Sequence, residues 1–156
     1  MEIRRRYRPR KRELRELAVI ASGWGIRIEK PEEVEVVELE DGRAVLVRGM
    51  PALFWCGEKP CPTLHALLGG ATLPRVTVDM GAVPHIASGA DVMGPGVTGA
   101  DPGIREGDPV AIVDEKHAKA IAVGIALTNS EGMRVPRGKV VKNVHHVGDD
   151  IWKLGK

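Results

Sequence analysis

The chain has 156 residues, of which 43% are hydrophobic and 28% charged, and its formal net charge is +2; this is enough apolar material for one domain or two small ones. No apolar run is long enough to span a membrane, and none follows the basic N-terminus as in a secretory signal, so we expect a cytoplasmic protein without membrane contact. Two cysteines predict free thiols rather than a disulfide framework, and the few aromatic residues argue against binding by stacking on many bases.

Positive charge is concentrated at the start of the chain. Residues 1–16 hold eight arginine or lysine residues against three glutamates, whereas the remaining 140 residues carry a net charge of −3. Clustered cations favour a polyanionic partner because binding releases the counterions of its phosphates; a solvated basic tail is the alternative interpretation. Glutamine is absent and many residues are ionic. This composition suits a protein from a hot environment, although biased codon usage would give the same result.

The first predicted elements are a helix and a small sheet. Apolar residues at helical spacing predict an amphipathic helix over residues 11–21. Asp41-Gly42 lies between two β-rich runs, 34–39 and 44–47, and predicts a hairpin in which both turn residues have positive φ. A third apolar run at 51–55 extends this sheet.

A short helix closes this first part of the chain. Residues 62–68 are typical of a helix, and Gly69-Gly70 follow where left-handed residues commonly end one, so we place a domain boundary after residue 70. Beyond it, short β-rich runs alternate with Gly, Pro and Asp turns, which predicts a small barrel or sandwich. The runs lie at about 75–79, 92–93, 109–113, 120–127 and 139–147, with one short helix between 80 and 88.

The segment Gly94-Pro-Gly96-Val-Thr-Gly99 matches the G-x-G-x-x-G pattern of dinucleotide sites. Such a site needs a helix that runs on from the third glycine, but turn-forming residues follow here, so we reject this interpretation. Gly89, Gly94 and Gly96 either present backbone N–H groups to a phosphate or base at a strand edge, or only turn a corner of the barrel. In the first case, Gly96 lies against RNA or adopts positive φ.

No catalytic or metal site emerges from the remaining side chains. Cys56, Cys61 and His65 offer three metal-ligating side chains where a structural zinc site needs four, so buried or half-buried thiols are the favoured interpretation. His145 and His146 face opposite sides of the last strand and cannot act as a side-by-side pair. No serine lies in a G-x-S-x-G motif. We therefore expect no enzyme activity, no cofactor and no bound metal.

Several motifs, taken in one order, resemble a known family. The Asp41-Gly42 hairpin is followed by Pro62-Thr-Leu-His-Ala-Leu, Val78-Asp79-x-Gly81-Ala82, Ser88-Gly-Ala90, Met93-x-Pro95-Gly96 and Gly148-Asp-Asp-Ile-Trp152. This order resembles the malignant T-cell-amplified sequence protein family and its short archaeal relatives. The resemblance implies an α+β fold, with a small N-terminal α/β domain at residues 1–70 followed by a PUA-type pseudo-barrel of short β-strands at residues 71–156.

The resemblance also implies that the barrel binds RNA. In PUA domains, RNA lies along a face formed by the first helix, the second strand and the last strand, which correspond here to residues 81–89, 90–97 and 139–148. A second basic cluster at 134–142, which by charge alone would be a solvated loop, leads into that last strand. The residues that this predicts for RNA binding are Gly81, Ala82, His85, Ser88, Gly89, Ala90, Met93, Pro95, Gly96, Arg137, Lys139, Lys142, Asn143 and His145.

The family further implies partners in translation. These are structured RNA, either tRNA or rRNA, the small ribosomal subunit during initiation or recycling, and a protein bound through the N-terminal domain. The alternative is an accessory or protein-interaction module for an RNA-modification enzyme. Near the end of the chain, we expect Trp152 to pack over the open end of the barrel, with stacking on a base as the alternative.

Overall fold

The computed structural model describes residues 2–155 and divides the chain into two compact units. The first unit comprises the residues up to Thr72 together with the segment from Gly148 onward, and the second unit is Leu73–Val147. The predicted boundary at residue 70 thus lies close to the first division, whereas the last residues of the chain belong to the first unit. Within residues 2–155, no helix is long and apolar enough to cross a membrane.

The first unit is a five-stranded antiparallel sheet with two helices. Its strands follow one another in chain order, so each strand pairs with its sequence neighbours. The elements are β1 (Ile3–Tyr7), α1 (Lys11–Gly23), a 3-10 turn (Pro31–Glu33), β2 (Val34–Leu39), β3 (Gly42–Val47), β4 (Met50–Cys56), β5 (Lys59–Pro62) and α2 (Leu64–Leu68).

Helix α1 confirms the helix predicted over residues 11–21 and extends it by two residues. Leu17 and Ala21 are buried, and they pack with Val36 and Leu53 in one core cluster on the sheet. The spacing of apolar residues every three or four positions places these side chains on one face of the helix. The amphipathic pattern therefore determines which side of α1 contacts the sheet.

The hairpin turns differ in one detail from the prediction. The β2–β3 hairpin forms as expected, but Leu39 pairs with Gly42, so its two loop residues are Glu40 and Asp41 rather than Asp41-Gly42. The turn with two positive φ angles lies one hairpin later, at Arg48 (53°) and Gly49 (81°), between β3 and β4. Such a turn matches the right-handed twist of the flanking strands.

The second unit is a nearly closed barrel built on a six-stranded sheet. The strand order is β7-β11-β10-β9-β6-β8, in which only the β6–β9 pairing is parallel. The elements are β6 (Arg75–Val78), α3 (Val83–Ala87), β7 (Val92–Met93), a 3-10 turn (Gly94–Gly96), β8 (Val97–Ala100), β9 (Pro109–Asp114), β10 (Ala120–Ala126), a second 3-10 turn (Ser130–Gly132) and β11 (Lys139–His146).

Burial of small branched side chains holds this barrel together. The core contains fully or almost fully buried Val76, Val78, Ile112 and Val141, and Ile86 of α3 packs into it. The predicted fold class, an α+β chain with a barrel of short strands, is confirmed. The sequence analysis missed β1, β5 and β8, since none of them shows an alternating apolar pattern long enough to identify a strand.

The C-terminal segment belongs to the first unit, whereas the sequence predicted that Trp152 packs over the open end of the barrel. Trp152 lies in a short 3-10 turn (Trp152–Leu154) and stacks on His65 of α2 in the first unit, with ring centroids 3.9 Å apart and planes inclined by 24°. The Nε2 atom of His65 is also 3.1 Å from the carbonyl oxygen of Trp152, and Ile151 is buried. Trp152 is therefore packed against an aromatic partner, but within the first unit.

Candidate nucleic-acid interface

Helix α3 begins at a set of backbone contacts made by Asp79. The Oδ1 atom of Asp79 accepts a hydrogen bond from the N–H of Ala82 (2.9 Å), and the N–H of Asp79 donates to the carbonyl oxygen of Gly96 (2.9 Å). A carboxylate before a helix satisfies N–H groups that have no partner inside the helix. Asp79 therefore connects the start of α3 with the 3-10 turn Gly94–Gly96.

Asn143 of β11 holds the other end of α3. Its Nδ2 group donates to the carbonyl oxygens of Ile86 and Ala90, both at 3.0 Å. Its backbone N–H donates to Oδ1 of Asp91 at 2.9 Å. Both amide hydrogens of the side chain are thus used to fix α3 and the following loop onto β11. Asn143 positions the surface rather than presenting free donors to a ligand.

Asp91 connects this arrangement to a basic side chain. Its Oδ2 atom lies 3.1 Å from Nζ of Lys139. The backbone N–H of Asn143 and the ammonium group of Lys139 together hold the pKa of Asp91 below its ordinary value. The carboxylate is therefore ionised at neutral pH and keeps Lys139 at a fixed place on the surface.

The glycines of this region serve packing in different ways. A Cβ atom at Gly94 would overlap the carbonyl oxygen of Val135 and lie 2.6 Å from its Cγ2 atom, whereas a Cβ at Gly96 would meet only Ala82, at 3.3 Å. Gly89 has a φ of 105°, a conformation that favours glycine, and lies against the ring of His146. Gly96 does not have positive φ, so that part of its predicted role is wrong.

Gly94 also fixes the loop that carries the second basic cluster. Its N–H donates to the carbonyl oxygen of Gly138 at 2.9 Å, and Val135 packs against the barrel core. Residues 132–147 contain four basic residues and no acidic residue. All four side chains, those of Arg134, Arg137, Lys139 and Lys142, are exposed. We call the surface formed by α3, the turn Gly94–Gly96, this loop and β11 the α3–β11 surface.

The structure brings most of the predicted RNA-binding residues onto the α3–β11 surface. Gly81, His85, Ser88, Ala90, Met93, Pro95, Arg137, Lys139 and Lys142 are exposed, and Ala82, Gly89, Gly96 and Asn143 are half-buried. His145 is the exception, since it is fully buried. The predicted alternation of the two histidines is correct, but His145 is the inward one, so we leave it out of the surface.

Two acidic residues outside the predicted set, Asp79 and Asp91, position this surface. Asp79 lies four residues before α3 and Asp91 lies directly before β7. The signal that could have identified them is the tendency of aspartate in such loops to accept hydrogen bonds from nearby backbone N–H groups. Arg134 was noticed in the basic cluster but not included among the predicted site residues.

The other motifs of the sequence do not form a dinucleotide site, a reactive thiol or a metal site among the described residues. The glycines at 94–99 lie in a 3-10 turn and the strand β8, without the helix that a dinucleotide site requires. Cys61 is buried, and burial raises the pKa of its thiol to about 12, which makes it unreactive. Among residues 2–155, no three His, Cys, Asp or Glu side chains are grouped so that they could hold a metal ion.

Comparison with known proteins agrees with this fold. The family model for the PUA domain matches residues 74–148. An uncharacterised protein of Methanocaldococcus jannaschii is 42% identical over 99% of both chains. Translation machinery-associated protein 20 of Saccharomyces cerevisiae is 32% identical, over 81% of this chain and 75% of its own length. Malignant T-cell-amplified sequence 2 of Homo sapiens is 30% identical, over 80% and 73%.

Solved structures extend the likeness to the whole chain. A hypothetical protein of the hyperthermophilic archaeon Pyrococcus horikoshii OT3 superposes with a TM-score of 0.78 at 34% identity, covering 97% of this chain and 100% of that one. A conserved PUA domain protein of Thermoplasma acidophilum gives the same TM-score and coverage at 30% identity. The resemblance inferred from the motifs is therefore confirmed. The chain belongs to the family of PUA-domain proteins that includes translation machinery-associated protein 20 and the malignant T-cell-amplified sequence proteins.

Proposed function

We propose that this chain is an RNA-binding protein of translation and that it binds structured RNA, tRNA or rRNA, through the α3–β11 surface. The observation that carries the proposal is the exposure of Arg134, Arg137, Lys139 and Lys142 in a stretch without a single carboxylate. The second unit as a whole holds as many acidic as basic residues, so this concentration is local. A local cluster of cations is what a phosphate backbone binds.

The geometry of the surface suits a folded RNA. Lys139 is ion-paired with Asp91, so the position of its ammonium group is fixed. Arg137 and Lys142 have no ion-pair partner among the described residues. The segments that flank α3 present small residues, among them Gly81, Ala82 and Gly89, which allow close approach of a backbone. Double-stranded RNA is recognised mainly by shape and by contacts to its phosphates and 2′-hydroxyl groups.

The relatives support a role in translation, and we infer that the cellular partner is the small ribosomal subunit during initiation or recycling. We infer a cytoplasmic location for the same reason. The proposal assigns RNA binding to the barrel and no reaction to the chain. It leaves the first unit, which includes predicted domain 1–70, available for a protein partner.

Charge reversal on the α3–β11 surface tests the proposal. The variant Arg137→Glu/Lys142→Glu removes two cations that form no ion pair with any residue in the described range 2–155. The matched control is Arg105→Glu/Lys116→Glu, which makes the same charge change at two exposed residues of the same unit. Affinity for tRNA and for a small-subunit rRNA fragment is measured by filter binding at several salt concentrations. We expect the site variant to bind at least about tenfold more weakly and to show a log–log salt slope smaller by roughly 1.4 to 1.8.

Two outcomes would contradict the proposal. Equal losses in the site variant and in the control would mean that only net charge matters. Unchanged affinity in the site variant would remove the α3–β11 surface from RNA binding and favour the alternative, a protein-interaction module. Sedimentation with small ribosomal subunits, compared between the wild-type chain and the site variant, tests the ribosomal part of the proposal separately.

A further inference from the structure

The first unit contains a second basic surface, which is an open groove of about 670 Å³ between β1 and the start of α1. Four of the seven residues that line it are arginines. They are Arg5, Arg8, Arg10 and Arg12, together with Tyr7, Glu13 and Glu16. We call it the arginine groove. By its charge alone this segment could be either a polyanion-binding surface or a solvated tail; in the structure its residues lie in and between strand β1 and helix α1.

Two of the arginines are fixed as walls of the groove. The Nη2 atom of Arg5 lies 2.9 Å from Oε1 of Glu38, and its guanidinium lies over the ring of Tyr7, 4.3 Å from the centroid. Arg8 donates to the backbone carbonyl oxygens of Glu32 and Val34. Carbonyl oxygens carry no formal charge, so Arg8 is held in place while its positive charge stays unneutralised.

The other two arginines lie at the start of α1 and remain exposed. Within residues 2–155, Arg10 makes no ion pair or side-chain hydrogen bond. Arg12 approaches Glu16 only to 3.9 Å, and its side chain is 93% exposed. The nearby carboxylate of Glu13 is already bound by the hydroxyl group of Tyr7 (2.8 Å) and by Arg43 (3.2 Å). The groove therefore has an excess of positive charge that the chain itself does not neutralise.

This placement of cations opposes helix stability. Arg10 is the N-cap residue of α1 and makes no capping hydrogen bond, and Lys11 and Arg12 are the first two residues of the helix. The N-terminus of a helix carries partial positive charge, so cations there are unfavourable and acidic or capping residues are preferred. Three consecutive cations at this position do not stabilise the helix, in which Glu13 is the acidic residue of the first turn, whereas they would favour binding of a polyanion.

We propose that the arginine groove is a second RNA contact, which binds the phosphodiester backbone of the RNA that the α3–β11 surface holds. This inference rests on the proposed function. One guanidinium group can bind a phosphate through two parallel hydrogen bonds. Several such groups along one open groove suit a chain of phosphates better than a single small anion. Because the ring of Tyr7 is covered by Arg5, the groove contacts the RNA backbone rather than stacking on bases.

The test compares two pairs of neutral substitutions in the first unit. Arg10→Gln/Arg12→Gln removes the two exposed cations of the groove. Arg27→Gln/Lys30→Gln is the control, since both residues are exposed and neither side chain has an ion-pair partner among the described residues. Binding to the same tRNA and rRNA fragment is measured in the full chain. We expect the groove variant to bind RNA roughly 10- to 50-fold more weakly at 0.1 M salt. The log–log slope of its affinity against salt concentration should be smaller by about 1.4 to 1.8, and the control should change affinity less than about threefold.

Thermal unfolding separates this effect from damage to the fold. Because the removed cations repel the positive end of α1, the groove variant should melt at the wild-type temperature or above it. Weaker binding together with unchanged or higher stability supports the proposal. Unchanged RNA affinity in the groove variant overturns it, and would point instead to an acidic protein segment as the ligand of the groove. A loss equal to that of the control also overturns it.

The two proposals fail in different ways. If Arg137→Glu/Lys142→Glu weakens binding while Arg10→Gln/Arg12→Gln does not, the arginine groove is refuted and the α3–β11 surface stands. If only the groove variant weakens binding, the α3–β11 surface is refuted as the main RNA contact. If both variants weaken binding, a variant that combines all four substitutions should lower the salt slope by the sum of the two separate changes.

Discussion

The hydrogen bonds of Asn143 give the sharpest test of how the α3–β11 surface is built. In Asn143→Ala, the carbonyl oxygens of Ile86 and Ala90 each lose the Nδ2 donor that bonds them at 3.0 Å in the wild-type chain, while that of Ile86 keeps the N–H of Gly89. A net contribution of about 0.5 to 1.5 kcal/mol per bond predicts a loss of about 1 to 3 kcal/mol. The bond to Ala90 is exposed and water can replace it, while the bond to Ile86 is partly buried. We therefore expect a loss in the lower half of this range, about 1 to 2 kcal/mol.

Guanidinium chloride unfolding measures this loss. The midpoint should fall without a change in the dependence of the unfolding free energy on denaturant, because the same surface is exposed on unfolding. Asn143→Asp keeps the size of the side chain but removes both donors, so it should destabilise the unit at least as much. The neighbouring Lys142→Ala serves as the control and should leave the unfolding free energy within about 0.5 kcal/mol of wild type, since its side chain is exposed.

The same variants decide between a positioning and a contacting role for Asn143. If Asn143 positions the surface, the loss of stability accompanies any loss of RNA affinity. An Asn143→Ala variant that unfolds like wild type but binds RNA more weakly would refute this reasoning. It would restore the sequence-based prediction that the amide of Asn143 contacts RNA directly.

Three further predictions follow from the packing and the charges. Gly94→Ala should cost about 1 to 3 kcal/mol of unfolding free energy because its Cβ overlaps Val135, whereas Gly96→Ala should cost clearly less; equal losses would contradict this. Truncation after Asp150 removes buried Ile151 and the stacked Trp152, and should lower the stability of the first unit by about 2 to 4 kcal/mol. Backbone amides in β4 and β5, and not those in β9 to β11, should then exchange hydrogen faster. The opposite pattern would indicate that Trp152 packs against the barrel. The pKa of Asp91 is lowered by the N–H of Asn143 and by Lys139, and that of Asp114 by the N–H groups of His117, Lys119 and Lys116. Their stabilisation is therefore present above the ordinary carboxyl pKa and is lost as the pH falls below about 4; urea unfolding at a series of pH values should show this decline, and Asp91→Asn and Asp114→Asn should each make it shallower.

The sequence by itself determined the elements whose signals are local. The apolar spacing at 11–21, the turn residues between the first strands and the short runs after residue 70 indicated a helix, a hairpin sheet and a barrel or sandwich, because side-chain periodicity and turn chemistry act over a few residues. The order of the glycine, proline and aspartate motifs was sufficient to indicate the PUA family. Because that family assignment also indicated which helix and strands form the RNA-binding face, most of the predicted RNA-binding residues lie on one surface.

Only the tertiary structure decided what the polar side chains do, because their partners lie far away in the chain. Asn143 bonds to residues 52 to 57 positions earlier, and His65 meets Trp152 across 87 positions. His145 is buried although its neighbours Val144 and His146 are only half-buried. The arginines of β1 and of the start of α1 form one groove because β1 pairs with β2 at the sheet edge. Such pairings depend on how strands are ordered in a sheet, which no local pattern of residues specifies.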